Sequence, residues 1–513
     1  DEQTVATLFA LLEKYNPEQL NDLLASYQQE LLIKKNRVVT VQKGQVDKIF
    51  PQQDRSSRAL VNDRAIFKSY QARGKIIIDN QNAVSADIFI NGKKLNIADP
   101  LQAHNSYQYS LHKRTRNGDN TLKVANILPE GASVNITIPY PTLEKQALQY
   151  KQRFEQVDRL IENDIKQGFP GAVLVVVKDG KIIKNSAYGY ARKFAEGGGL
   201  LSTPVKMNTD TVFDLASNTK MFATNFALMK LVNEGKLDIS LPIHHYLPAY
   251  RGEGREFRTV KDILTHNAGY SPQIRFYTRE NSLGNKFFSR QVKKTKDLLL
   301  TQVPFAVGRS VKHMYSDTDY MLLAMIVEKI TGMPLDVFVE YEIYNPLGLK
   351  STVFNPLSKG FRKNQFAATE IYGNTRDARI HFENVRTNVI QGEVHDENAF
   401  YSLAGVAGHA GLFSTAEELA VLAQTLLNRG GYGNKHLFSG KVIDQFIKPD
   451  DGNGTFGLGW RRANNGDLKW HFGPYASASA YGHTGWTGTV TVIDPENDLA
   501  IILLTNARHS EIE

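Results

Sequence analysis

Two apolar hairpins that stand far apart in the chain constrain its fold more tightly than any other feature. Gly171-Ala172-Val173-Leu174-Val175-Val176-Val177 reads as a strand buried on both faces, and Asp179-Gly180 supplies a type I′ turn into a partner strand at 181–186. Near the other end, 489–493 and 499–504 flank Asp494-Pro495 as a second hairpin. Between the two hairpins the apolar spacing is mostly helical. Strands from both ends then close one sheet around the helices. This predicts an α+β domain over 144–513, an antiparallel sheet flanked by helices with a helical lobe. The apolar runs are too short to span a bilayer.

Upstream, the pattern changes to short alternating strands over 61–143. Ile88-Phe89-Ile90 meets Asn91-Gly92, a strong hairpin signal, and Val134, Ile136 and Ile138 alternate with polar residues before Pro139. This predicts a small β-sandwich. Its Tyr107, Tyr109 and Tyr140 are core residues by spacing, with glycan stacking as the alternative. Residues 1–60 read as a helical segment and linker. Leu8, Leu11, Leu12 and Tyr15 share one face, Asn16-Pro17 restarts the helix, and Leu20, Leu23, Leu24, Tyr27 and Leu31 continue the stripe. That stripe is expected to dock on the protein's own body rather than on a membrane.

Lysine plus arginine number 61 against 53 acids, a net +8 that is scattered without a basic run. A nucleic-acid partner is excluded on that ground, while weak attraction to an anionic cell wall is not. There is no cysteine, which removes disulfides, thiolate nucleophiles and cysteine-built metal sites together. No metal and no cofactor are expected. Zero cysteine suits an exported protein, and residue 1 is Asp rather than Met, so an export signal is expected to have been removed. The expected location is therefore extracytoplasmic.

Familiar nucleophile patterns are mostly missing. There is no Gly-x-Ser-x-Gly elbow and no His-Glu-x-x-His, and Gly452, Gly454 and Gly457 precede Leu458-Gly459-Trp460 rather than a helix. Ser-x-x-Lys occurs twice. Ser110 and Lys113 sit on an alternating strand and point to opposite faces. Ser217-Asn218-Thr219-Lys220 instead opens a helical pattern, so Lys220 can reach the Ser217 hydroxyl, and the helix start favours a developing oxyanion. Capping of that helix is the plainer reading of Ser217. Two further motifs follow in order: Tyr315-Ser316-Asp317 before an apolar helix, and His483-Thr484-Gly485 on a strand. Gly485 is expected to let a substrate backbone approach closely.

This trio resembles the serine β-lactamase and penicillin-binding protein family, in its class C and D-alanyl-D-alanine peptidase branch. Phe213-Asp214-Leu215-Ala216, the 264–269 stretch Leu-Thr-His-Asn-Ala-Gly, Pro346-Leu347-Gly348-Leu349, and Gly408-His409-Ala410-Gly411 support the likeness. His395-Asp396-Glu397-Asn398 and Asp317 are similar to the penicillin-binding protein 4B subgroup. The likeness covers about residues 157 to 506 and implies a β-lactamase/transpeptidase-like fold. It implies Ser217 as the acylated nucleophile, Lys220 lowering its pKa or taking its proton, and Tyr315 as general base or proton shuttle. It further implies an oxyanion hole from the Ser217 and Trp486 backbone N–H groups. His483, aided by Thr484, is expected to hold a substrate carboxylate. Asp317 departs from the usual Asn, exchanging a donor for an anion, and is expected either to disfavour penicillins or to pair with Lys220. The resemblance also implies a C-terminal packing helix after the last strand, expected here either to be truncated or to lie beyond Glu513.

The resemblance implies a serine hydrolase of cell-wall amide bonds, foremost a D-Ala-D-Ala carboxypeptidase, with peptidoglycan-derived peptides or muropeptides as partners and glycan contact through the sandwich. The alternatives are an N-acetylmuramoyl-L-alanine amidase, a promiscuous esterase and a non-catalytic wall-binding or β-lactam-sensing protein. His266, His395 and His409 are read as structural.

Overall fold

The structure, a computed structural model, describes residues 42–52, 64–376, 379–449, 454–463 and 468–511. The helices expected within 1–41 lie outside the described residues. The central sheet runs in the order Leu200–Lys206, Lys181–Phe194, Gly171–Lys178, Leu499–Thr505, Thr489–Asp494, Tyr481–Gly485, Arg461–Arg462. The two distant hairpins are thus neighbours, with Val173 opposite Leu504 and Val175 opposite Ile502. Val173, Val175 and Val177 face the main core with Leu419, Leu422 and Leu426 of the helix Ala416–Leu427. Ala172, Leu174 and Val176 face the other way, onto Phe154 and onto Ile161 and Ile165 of Glu155–Lys166. Both faces are covered, which is why the strand carries no polar alternation. Each buried Val or Leu contributes about 1.5–3 kcal/mol, so one strand fastens both helical layers. The helical lobe is built around Asp317–Thr331, most of which is buried.

The amino-terminal unit is a two-sheet sandwich. Val46–Pro51, Ser133–Ile138, Lys75–Asn80 and Ser106–Ser110 form one sheet, and Arg64–Ser69, Gly118–Leu128, Ser85–Ile90 and Lys93–Lys94 the other. Phe50, Ile76, Ile78, Ile88, Ile90, Val134 and Ile136 fill the space between them. Asn91 and Gly92 take φ of 50° and 77°, as the predicted turn requires. The strand Val46–Pro51 falls inside the 1–60 stretch read as helical segment and linker. It pairs with Ser133–Ile138 because Val46 and Phe50 turn inward, a signal too short to register as a strand in the sequence. The three tyrosines are not open stacking faces. Tyr107 and Tyr109 pack on the sandwich core with their hydroxyls accepting from Gln102 and Ala98 N–H groups, and buried Tyr140 pairs with His436 at 2.7 Å.

The sandwich is tied to the larger domain through Tyr70 and Lys68, which both reach Asp498 at 3.1 Å, while Gln424 Nε2 donates to the Tyr70 hydroxyl. Among the described residues no helix is long and apolar enough to cross a membrane.

Candidate active site

Ser217 sits in a turn clamped to the sheet. Asp214 accepts from the Ala216 N–H at 2.8 Å, and the N–H groups of Asn218, Thr219 and Lys220 fold back onto the carbonyls of Leu215, Ala216 and Ser217. Ala216 adopts φ +45°, a left-handed conformation that costs a residue with a Cβ about 1–3 kcal/mol. The surroundings hold it there. Thr487, Thr489 and Thr491 alternate, so they share one face. Their hydroxyls donate to the Asp214 carbonyl, the Leu215 carbonyl and Asn218 Oδ1 at 2.8, 3.0 and 3.0 Å. Asp214 is fully buried and also accepts from the His395 N–H at 2.6 Å. Burial pushes its carboxyl pKa up, against the two backbone N–H bonds that favour the anion.

Lys220 is fully buried beneath this turn, at the start of a π-helical stretch Lys220–Asn225 that continues as the α-helix Phe226–Asn233. Its Nζ donates to Ser217 Oγ at 3.1 Å, Asp317 Oδ1 at 2.8 Å and the His409 carbonyl at 3.3 Å. The ammonium also lies 4.8 Å from the centre of the Tyr315 ring. Burial pulls the lysine pKa down, but the charges of Asp317 and then Tyr315 outweigh it, and the net value lies above the usual lysine range. Lys220 is therefore an ammonium with all three N–H groups engaged. It can donate to Ser217 Oγ, but it has no lone pair to accept the hydroxyl proton. Tyr315 stands on the other side of that ammonium.

The strand Tyr481–Gly485 borders the site, and two expectations placed on it change. His483 is completely buried, its Nδ1 bonded to the Thr484 carbonyl at 2.7 Å. Burial, then Arg461 and Lys220, hold its pKa well below the usual histidine value. These surroundings disfavour the imidazolium, against the expectation that His483 holds a substrate carboxylate. Gly485 is required by the enzyme's own turn rather than by substrate: a Cβ there would lie 2.4 Å from the Leu215 carbonyl oxygen and 2.2 Å from Thr489 Oγ1. The cation that sequence reasoning missed is Arg461. It pairs across the sheet with Gly482, and its Nη1 donates to Thr484 Oγ1 at 2.9 Å. Trp486, next after Gly485, is half exposed.

Two acid–histidine pairs surround the lysine and tyrosine. His266, which has φ +55°, bonds Asp319 Oδ2 at 2.8 Å, and its ring centre is 4.6 Å from that of Tyr315. The His266 ring Nδ1 and backbone carbonyl also meet the Ser316 and Met314 N–H groups, fixing the residues on either side of Tyr315. His409 Nε2 meets Asp396 Oδ1 at 2.9 Å, while His395 pairs with Glu370 away from Lys220. Asp317, Asp396 and His409 bring donor atoms within 4.8 Å of one another, a grouping able to hold a metal ion. Each carboxylate there already has a partner, Lys220 on Asp317 and His409 on Asp396. Ser110 and Lys113 lie in the sandwich, remote from this cluster in the fold.

A family model described as Beta-lactamase matches residues 157–512. A Bacillus subtilis (strain 168) protein named N-acetylmuramyl-L-alanine amidase is 54% identical over 367 residues, covering 70% of this chain and 82% of that protein. A Salmonella schwarzengrund (strain CVM19633) protein named putative D-alanyl-D-alanine carboxypeptidase is 47% identical over 399 residues, covering 76% of this chain and 91% of that protein. Among solved structures, a penicillin-binding protein homologue from Caulobacter crescentus superposes with TM-score 0.52 at 21% identity, covering 69% of this chain and 91% of that one. From these matches and the fold they share, the chain belongs to the beta-lactamase family of serine hydrolases.

Proposed function

We propose that this serine hydrolase cleaves an amide bond of cell-wall muropeptides through an acyl-enzyme on Ser217, and that the bond joins the lactyl carbonyl of N-acetylmuramate to L-alanine. The observation that carries this choice is the Asp317–Lys220 pair at 2.8 Å. A D-Ala-D-Ala substrate presents an acylamino carbonyl beside the reacting centre, which asks for an N–H donor. An ionised Asp317 can only accept. The lactyl group carries an ether oxygen there and makes a weaker demand.

In this reading Tyr315, acting as its phenolate beside the Lys220 ammonium, takes the Ser217 proton as Oγ attacks the carbonyl. The Ser217 and Trp486 backbone N–H groups receive the oxyanion, each such donor being worth about 10²–10³ in rate. Tyr315 then protonates the leaving amine, the L-alanyl peptide departs, and water hydrolyses the ester by the reverse proton path. Arg461 and Thr484 hold a carboxylate of the departing peptide. That same pair supports a second reading, since a terminal D-Ala carboxylate fits it equally well. The two relatives named above carry one name of each kind.

The site of action is proposed to be outside the cytoplasm, where the polymer lies, in keeping with the absence of cysteine. Wall contact through the sandwich is proposed at the cleft of about 560 Å³ between the two units, lined by Arg73, Lys75 and Tyr140. The deciding experiment is digestion of an N-acetylmuramyl pentapeptide ending in D-Ala-D-Ala, with products identified by mass. Free N-acetylmuramate with intact peptide supports the first reading. Loss of D-Ala alone moves the assignment to the second, and no cleavage sinks both.

A further inference from the structure

We propose that His266 and Asp319 are positioning residues for Tyr315: an uncharged pair, with its proton on the Asp319 carboxyl, that fixes the chain on both sides of the tyrosine and holds its ring beside the Lys220 ammonium. The proposal rests on Tyr315 acting as the base toward Ser217, whichever amide is cut. Tyr315 is only partly buried and stands just before the helix Asp317–Thr331. A loop residue so placed keeps one geometry only if its neighbours are tied down. The stretch 266–272 ties them. The His266 carbonyl accepts from the Met314 N–H at 2.9 Å, the Ser271 carbonyl from the Ser316 hydroxyl at 2.7 Å, and the Pro272 carbonyl from the Asp317 N–H at 3.0 Å. The His266 ring adds a fourth bond, Nδ1 accepting from the Ser316 N–H at 3.2 Å, and its centre lies 4.6 Å from that of the Tyr315 ring.

The same ring atom locates the proton. Nδ1 also lies 2.8 Å from Asp319 Oδ2, so one of these two atoms carries the hydrogen between them. Each nitrogen of a neutral imidazole is either a donor or an acceptor. The Ser316 N–H already points at Nδ1, so that nitrogen presents its lone pair and the Asp319 carboxyl is the donor. Both side chains are fully buried. Burial, then the charge of Asp317, raises the Asp319 pKa well above the carboxylate range, and burial, then His313, Lys220 and Arg461, lowers that of His266. The uncharged form also suits the chemistry. An ionised Asp319 would place a second anion one ring away from Tyr315 and oppose its phenolate, whereas a carboxylic acid holds the ring without that penalty.

The test compares His266→Gly, His266→Asn, Asp319→Asn and Tyr315→Phe on an N-acetylmuramyl pentapeptide ending in D-Ala-D-Ala, following release of either product, with folding checked by circular dichroism. His266 has φ +55°, where glycine and asparagine sit readily, so neither replacement strains the backbone. His266→Gly keeps the carbonyl that holds Met314 but loses the ring. Its kcat should fall about a hundredfold with KM nearly unchanged, as for a base displaced by about 1 Å. His266→Asn should recover most of that loss, because its Oδ1 can accept from the Ser316 N–H and from Asp319. Asp319→Asn should keep most of the parent kcat, an amide N–H replacing the carboxyl O–H. An unchanged kcat in folded His266→Gly overturns the proposal. So does a loss that His266→Asn fails to relieve, which would mark general packing. A loss in Asp319→Asn as deep as in His266→Gly would mark an ionised carboxylate and overturn it too. Parent-like turnover in Tyr315→Phe, or none in the parent, would instead remove the reading on which the proposal rests. Should His266→Gly fail to fold, Asp319→Asn against Asp319→Ala supplies the same contrast, with the kcat loss expected only in the second.

Discussion

Replacing Asp317 by Asn removes the charge that keeps Lys220 protonated. At 2.8 Å and an effective dielectric of about 20 the pair attracts by about 6 kcal/mol. That is an upper bound, because the Asp317 side chain is 18% exposed. Removing one partner of a buried pair costs about 3–5 kcal/mol while the other stays charged. Lys220 has an escape. Burial lowers its pKa, and without Asp317 only Tyr315 opposes burial, so the lysine pKa is expected to fall. In the parent the folded lysine pKa is above the unfolded one, so its stabilisation is whole at neutral pH and is lost only as pH rises through the folded value. In the variant the order reverses, and stability climbs with pH because the unfolded chain binds the extra proton. Urea unfolding from about pH 6 to about pH 9 should show a gap of about 3–5 kcal/mol at the acid end that narrows toward the alkaline end. A neutral Lys220 can also accept the Ser217 proton, and Asn can donate to an acylamino carbonyl. Acylation by a fluorescent penicillin should therefore speed up while muropeptide turnover falls. A gap that does not change with pH, or penicillin acylation already fast in the parent and unchanged in the variant, would refute this reasoning.

Arg461→Gln should raise KM for an anionic peptide about 10–100-fold, the value of a charge-assisted hydrogen bond, with a smaller change in kcat. An unchanged KM would remove Arg461 from the substrate site. Because His483 is held neutral, KM should stay flat across the histidine range, and a steady worsening from mildly acidic to mildly alkaline pH would restore the charged-histidine expectation. Burying neutral histidine has the opposite sign for stability: it is fully tolerated above the unfolded histidine pKa, and stability falls as pH drops below it. Gly485→Ala should cost about 1–3 kcal/mol and slow acylation, since the new Cβ strikes the Leu215 carbonyl. Thermal melting and penicillin labelling together check both effects.

What was legible in the sequence is what local chemistry dictates. The unbroken apolar run 171–177 announces a strand covered on both faces, and two turn residues set its hairpin. That Ser217, Lys220 and Tyr315 come together was legible because spacing on helical segments and chain order are sequence properties. Pairing of Asp317 with Lys220 was foreseen as one of two outcomes, since opposite charges buried together have few alternatives. Arg461 carries no motif and lies on a two-residue strand. Its meaning arises only when the sheet register sets it beside Gly482 and brings Thr484 within reach. The state of His483 was misjudged for a related reason: its charge is decided by burial, a tertiary quantity. Gly485 was singled out for the close approach of a substrate, whereas its close neighbour in the structure is the strained turn at Ala216, which no single segment reveals.

The central claim is that Ser217 carries the acyl group. Rapid-quench mass spectrometry of the protein mixed with an N-acetylmuramyl peptide tests it directly. The account predicts a transient adduct equal to the N-acetylmuramoyl group on the peptide containing Ser217, absent from Ser217→Ala, which should retain its fold and lose all turnover. An adduct on another residue, or turnover that persists in Ser217→Ala, would contradict it.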